Sequence, residues 1–278
     1  MRKAAGWKKA MASLVSAATL FSCTITGTMN FSTVTAADGA NYAEALAMSL
    51  YFFDANECGT EVDDNCLTWR GNCHTYDAEA SLDSAANLSS SEKAMIKEAN
   101  GGSNTVDVSG GYHDAGDHIK FNVTMGFAAS SLAMSYYMNP GAYEKANCEG
   151  HFREVLKKTC DYLMKTTYLD NSGNVYAVCA TVANSADHDV TWEPPEKQTY
   201  DRPTYWLTAS YNNSVTTATM ASALAGTAYV FKDVDAEYSA KCMKYSKALY
   251  DFAKKYPDMQ DTTSGLYRLT DTYIEHGL

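Results

Sequence analysis

Positive charge is scarce in this 278-residue chain, which has 22 Lys and Arg against 33 Asp and Glu and a formal net charge of −11. A phosphate backbone would be repelled by such a surface, which excludes nucleic acid as a partner. A neutral partner such as carbohydrate, or a cationic one, is compatible with it. Long apolar runs are missing too. Nothing after Ala37 approaches the roughly 20 residues needed to cross a bilayer, so no membrane partner is expected once a leader is removed. There is no internal repeat and no low-complexity linker, which leaves a single domain. What is abundant is apolar material: 46% hydrophobic residues can bury a sizeable core and exclude disordered or fibrous chains. The 20 Tyr and 4 Trp supply flat faces able to stack on sugar rings, although most aromatics in any protein are core.

Residues 1–37 read as a signal peptide rather than as part of the fold. Arg2, Lys3, Lys8 and Lys9 are its basic start, and Ala10 to Phe21 is apolar but too short to span. Val34-Thr35-Ala36-Ala37 offers small residues for cleavage, whereas a lipoprotein site at Cys23 would carry the bulky Phe21. The mature chain, residues 38–278, is therefore expected to be secreted and extracellular. It keeps Cys58, Cys66, Cys73, Cys148, Cys160, Cys179 and Cys242, an odd number, so at least one thiol stays unpaired. A disulfide fits the crowded Cys58–Cys66–Cys73 segment. A zinc site from these three with His74 is the sharper alternative, but their spacings match none of the tight pairs of structural zinc.

Helical periodicity dominates. Asn41 can cap a helix carrying Tyr42, Leu46, Leu50 and Phe53, which Asn56 and Gly59 stop. Thr124–Met138 and Val215–Phe231 read as apolar, Ala-rich helices. Tyr143–Tyr168 and Ala236–Tyr256 read as amphipathic ones, and Ser91–Glu98 as a short one. Strand-like alternation is confined to short pieces such as Val175–Val182. Helix pairs joined by Gly- and Asp-rich loops predict an all-α barrel or solenoid, with the apolar helices forming the inner ring.

The loop Gly110-Gly111-Tyr112-His113-Asp114-Ala115-Gly116-Asp117-His118 puts two carboxylates three residues apart in a turn. Three readings stay open: an Asx-turn satisfying its own amides, a calcium loop, or a carboxylate pair gripping one water, with one acid taking the proton.

Gly110–Phe121 (GGYHDAGDHIKF) resembles the base-bearing loop of the glycoside hydrolase family nine cellulases. Asn41–Asn56 is similar to that family's first helix, Trp69-Arg70-Gly71 to its W-R-G loop, and Asp187–Trp206 to its W-x-P-P-E and R-P segment. The resemblance implies an (α/α)6 barrel and inverting, secreted endo-β-1,4-glucanase activity on cellulose or related β-glucans. Residue by residue, it implies Asp117 as the general base and Asp114 as the group that helps hold the water. Tyr112, His118, His188, Trp192 and Trp69 are the implied substrate contacts, each with a structural role as its alternative. Arg70 and Arg202 are expected to brace loops through carboxylates. Glu193 and Glu196 match a structural segment and are not taken as the acid.

The chain departs from the family pattern in three places. Asn72–Ser109 is longer than in many relatives and is expected to reshape the rim of the cleft. Asn212–Ala218 has no carboxylate where many relatives bind calcium, so any calcium there would be weakly held and no cofactor is assigned. Finally, the family's general acid, a late Glu, has no counterpart before Leu278. The chain is thus expected to be an N-terminal portion of the barrel, truncated at the C-terminus and inactive alone. A non-catalytic or vestigial glucan-binding fragment is the alternative function. Membership of a cellulolytic complex would need a docking module beyond Leu278.

Overall fold

The computed structural model describes residues 39–189 and 193–263, with the side chains of 188 and 189 excepted. The leader, with Cys23, and Glu275 lie outside the described residues. Among these residues the helices are α1 (Tyr42–Asn56), α2 (Ser90–Ala99), α3 (Asn122–Met138), α4 (Pro140–Lys145), α5 (Glu149–Lys165), α6 (Ser185–Asp189), α7 (Ser214–Phe231) and α8 (Ala236–Lys255). Their starts follow from local chemistry. Asn41 Oδ1 accepts the Glu44 amide of α1 at 3.2 Å. Ser89 and Glu92 form a reciprocal capping box on α2. Asp235 caps α8 through the Tyr238 amide at 2.9 Å.

The apolar helices α3 and α7 pack side by side, and α8 covers α7 on its other flank. Two glycines set how closely α3 and α7 approach. A methyl group on Gly126 would sit 2.9 Å from the Met220 backbone nitrogen, and one on Gly226 would sit 2.5 Å from the Ala133 methyl. The amphipathic α5 closes the core with Phe152, Leu156, Cys160 and Leu163, all fully buried.

The long helix expected over Tyr143–Tyr168 is instead two. The chain breaks at Asn147, whose φ of 51° is a left-handed conformation that Asn tolerates better than most side chains. The expected tail of that helix is β4 (Thr167–Leu169), which pairs with β5 (Val175–Val182). Strand β5 is the hub of a small antiparallel sheet. The strand β6 (Thr204–Thr208) runs along one edge, and β4 and β3 (Lys120–Phe121) share the other.

The long Asn72–Ser109 segment contains a short pair, β1 (Ala80–Ser81) with β2 (Thr105–Val106). It buries Leu82, Ile96, Val106 and Val108 against Trp206, Ala177 and Cys179 of the sheet. It is therefore anchored by a core of its own. All seven described cysteines are free thiols, so the expected disulfide does not form.

Candidate active site

The Gly110–His118 loop leads directly into β3 and α3, so the sheet fixes its exit. Its entrance is fixed by close packing. Gly111 has φ +75°, and a methyl group there would lie 2.8 Å from the Tyr162 ring. Backbone bonds complete the frame: Cys58 N donates to Gly111 O at 3.0 Å, His113 N to Asn56 O at 2.8 Å, and Asp114 N to Ile119 O at 2.9 Å. Within this frame Asp117 is 7% exposed, Asp114 is half-buried, and Ala115 and Gly116 between them face solvent.

A buried cation holds the loop from below. Lys120 Nζ donates to Val108 O at 2.5 Å and to Gly110 O at 3.2 Å, and it pairs with Asp77 Oδ2 at 2.8 Å. Asp77 Oδ1 also accepts from Arg202 Nε at 3.0 Å. Burial pushes the Asp77 carboxyl up, but Lys120 and Arg202 outweigh it and hold the group below its ordinary range. The sign of the linkage follows. The stability this shift carries is full above about pH 4 and is lost as the pH falls through the lower folded value. Asp77→Asn is expected to cost about 3–5 kcal/mol at neutral pH, because two buried cations lose their counter-charge. It should also flatten the acid limb. Denaturant melts of both proteins between pH 7 and pH 3 check this, and equal melts would contradict it.

Arg70, as anticipated, braces loops. Its Nε pairs with Glu196 Oε1 at 2.8 Å, and its other nitrogens donate to the Ala55 and Glu57 carbonyls. Glu196 also accepts the Gly71 amide, which ties the W-R-G loop to the W-x-P-P-E segment and is the structural role expected of it. Trp69 on that loop is 66% exposed and free to meet a ligand. Tyr112 is not. It is 4% exposed and packs edge-on to Phe53 in the main core, so the substrate contact expected of it is corrected to a core role. His118 is buried: its Nδ1 bonds Gln198 Oε1 at 2.8 Å and its backbone N–H bonds Asp187 Oδ2 at 2.8 Å. The Trp192 position and the His188 side chain lie outside the described residues. In the carboxylate-free Asn212–Ala218 segment, Asn213 caps α7, its Oδ1 accepting from the Thr216 amide.

A second constellation adjoins the loop. One ligand atom each from Cys58, Cys73, His74 and His113 lie within 4.8 Å of one another, all in buried residues. The sequence pointed to three of these four. Cys66 instead donates its thiol to Asp54 Oδ2 at 3.3 Å, and the fourth donor is His113, inside the carboxylate loop itself. The spacing rule misled because the donors come from separate loops rather than from one tight hairpin.

Two thiolates and two imidazoles are the donor set of a tetrahedral zinc site, whose bond lengths put S and N donors about 3.5 Å apart and two N donors about 3.3 Å apart. The observed Cys58 Sγ–His74 Nδ1 distance is 3.6 Å and the His74 Nδ1–His113 Nε2 distance is 3.1 Å. The electrostatics divide between the two thiols. The Cys58 thiol hydrogen-bonds the Cys73 sulfur and brings it down to about 7, with Arg70 adding to the effect, whereas burial pushes the Cys58 thiol itself up. Burial holds His113 well below the ordinary imidazole value and so neutral, the form that ligates metal. Among the described residues no other group of three or more His, Cys, Asp or Glu side chains is placed in this way.

Helices packed in pairs around a small-residue core, with a Gly-framed carboxylate loop leading into one of them, define a helical fold. The Glycosyl hydrolase family 9 profile matches residues 42–275. Endoglucanase B of Cellulomonas fimi is 33% identical over 221 residues, 80% of this chain and 18% of that protein. Endoglucanase A of Bacillus pumilus is 30% identical over 84% of this chain and 32% of its own length. The solved catalytic domain of Clostridium thermocellum CelT superposes with a TM-score of 0.77 at 38% identity, over 83% of this chain and 48% of that one. The cellulase Cel9M of C. cellulolyticum, solved in complex with cellobiose, gives 0.68 at 30% over 84% and 48%. The chain belongs to glycosyl hydrolase family 9, and its fold is that of the (α/α)6-barrel cellulases. It spans about half of the solved catalytic domains it matches and a third or less of those two curated relatives.

Proposed function

We propose that residues 38–278 form the N-terminal part of the catalytic module of a secreted, inverting endo-β-1,4-glucanase. The observation that carries the reading is the carboxylate loop, framed by two positive-φ glycines, by backbone bonds and by Lys120, with Asp117 sheltered beside the exposed turn Ala115–Gly116. Endoglucanases among the relatives and cellobiose in the Cel9M complex support a β-1,4-glucan as substrate.

In this reading Asp117 takes a proton from water as that water attacks the anomeric carbon, and Asp114 helps orient the same water. An inverting enzyme keeps its acid and base about 6.5–9.5 Å apart, so Asp114 and Asp117 together are the base half of the site. The acid is supplied from sequence outside residues 1–278, in line with the share of the solved domains that this chain spans. Trp69 stacks on a glucosyl ring. In the full-length enzyme Trp69→Ala should raise KM for a soluble β-1,4-glucan about two- to tenfold with little change in kcat, the scale of one lost ring contact. Reducing-sugar assays on carboxymethyl cellulose, with starch as the control, test both points. Binding without any hydrolysis by the full-length protein would favour the non-catalytic glucan-binding alternative.

We propose further that Cys58, Cys73, His74 and His113 hold zinc. When bound, the ion balances the buried thiolates and gives the loop a rigid support. The chain's own residues do the rest: His113, immediately before Asp114, ties the start of the carboxylate turn to the loops carrying Cys58 and Cys73–His74.

A further inference from the structure

We propose that Gln198 is a positioning residue that sets the tautomer of His74 for metal binding and, through the same amide, ties the Asp117 end of the loop to the metal centre. The inference rests on the zinc reading above. Gln198 is 4% exposed, and its amide has a single orientation that satisfies its neighbours. Nε2 donates to Asp187 Oδ1, so Oε1 must face the imidazoles; the reverse orientation would set oxygen against carboxylate.

Oε1 contacts His74 Nε2 at 2.6 Å and His118 Nδ1 at 2.8 Å. An amide oxygen only accepts, so both of those ring nitrogens carry hydrogen. His74 is thereby left with a bare Nδ1, and Nδ1 is the atom that faces Cys58 and His113. Partners of this kind fix the ring and tautomer of a metal-ligating histidine, and their loss typically costs about 10–100-fold in metal affinity.

The other half of the amide acts on the loop. Asp187, held by Gln198, accepts the backbone N–H of His118, the residue after Asp117. The carboxylate turn is thus gripped at both ends. At the Asp114 end it is held by His113, itself a ligand. At the Asp117 end it is held through His118, Gln198 and His74. Nothing in the sequence marks this connection, because a neutral amide belongs to no metal or catalytic motif.

The experiment compares wild type, Gln198→Met and Gln198→Glu, each stripped of metal and titrated with zinc chloride against a chromophoric chelator. Hydrogen exchange at the His118 amide is followed at saturating zinc, and circular dichroism reports folding. Wild type should bind one zinc per chain. Gln198→Met, which removes both acceptor and donor, should bind roughly 10–100-fold more weakly. Its His118 amide should exchange faster even when the metal site is full. Gln198→Glu keeps the acceptor but loses the donor to Asp187, so it should hold zinc within a few-fold of wild type while still losing His118 protection. A folded Gln198→Met with wild-type zinc affinity and wild-type exchange would overturn the role of Gln198 and leave the metal site standing. Wild type that takes up no zinc would overturn both readings.

Discussion

Asp117→Asn in the full-length enzyme is expected to lower kcat on soluble β-1,4-glucan by roughly 10²–10⁴, the usual contribution of a positioned general base. The amide keeps the shape of the carboxylate but cannot take a proton from water. Because Asp117 sits in a loop closed by backbone bonds and two glycines, the substitution should leave the frame and oligosaccharide binding intact. KM is therefore expected to change little, and the loss should appear in kcat. Asp114→Asn should also slow turnover, by less. Steady-state kinetics on purified variants, with calorimetric cellotetraose binding alongside, separate the two effects. Near-native turnover by Asp117→Asn would remove the base assignment.

Metal removal is expected to have the largest effect on stability. A ligand present at about a thousand times its dissociation constant stabilises the folded state by roughly 4 kcal/mol. For a chain of this size that corresponds to a fall of roughly 8–16 °C in melting temperature on chelation. Cys73→Ser should reproduce most of the fall and abolish its dependence on zinc. The effect should concentrate near the carboxylate loop, since His113 belongs to it. Melting curves before and after chelation, with the metal content measured, decide the matter. A protein that releases a stoichiometric metal and melts unchanged would show that the cluster supports nothing.

The elements the sequence made legible are those with long, unambiguous patterns. The Ala-rich α3 and α7 lie within two residues of where their apolar runs predict them, because helices packed on several sides must be apolar almost all round. The Val175–Val182 alternation is β5 itself. The break at Asn147 was hidden because the hydrophobic rhythm of α4 carries over into α5 and only the backbone conformation reveals the turn. Strands β3 and β4 are too short to have a period, so their pairing with β5, which fixes the loop's exit, has no sequence signal.

At the site, Asp114 and Asp117 were legible from their motif, and the bracing roles of Arg70 and Arg202 were anticipated. Three of the four donors of the metal cluster were legible. Cys58, Cys73 and His74 stood out, but local spacing cannot show that a fourth donor, His113, folds onto them from 39 residues beyond His74. Tyr112 looked like a ligand contact because of its place in the motif. Its neighbours turn it into the core, since the loop must bury something apolar beneath its charged face.

The central claim is that Asp117 activates a water rather than attacking the sugar, and the stereochemistry of the first product tests it most directly. Proton NMR of cellotetraose hydrolysis by the full-length enzyme, recorded before mutarotation, should show the α-anomer at the newly formed reducing end. The β-anomer appearing first would mean a covalent glycosyl intermediate, and with it a different role for this loop.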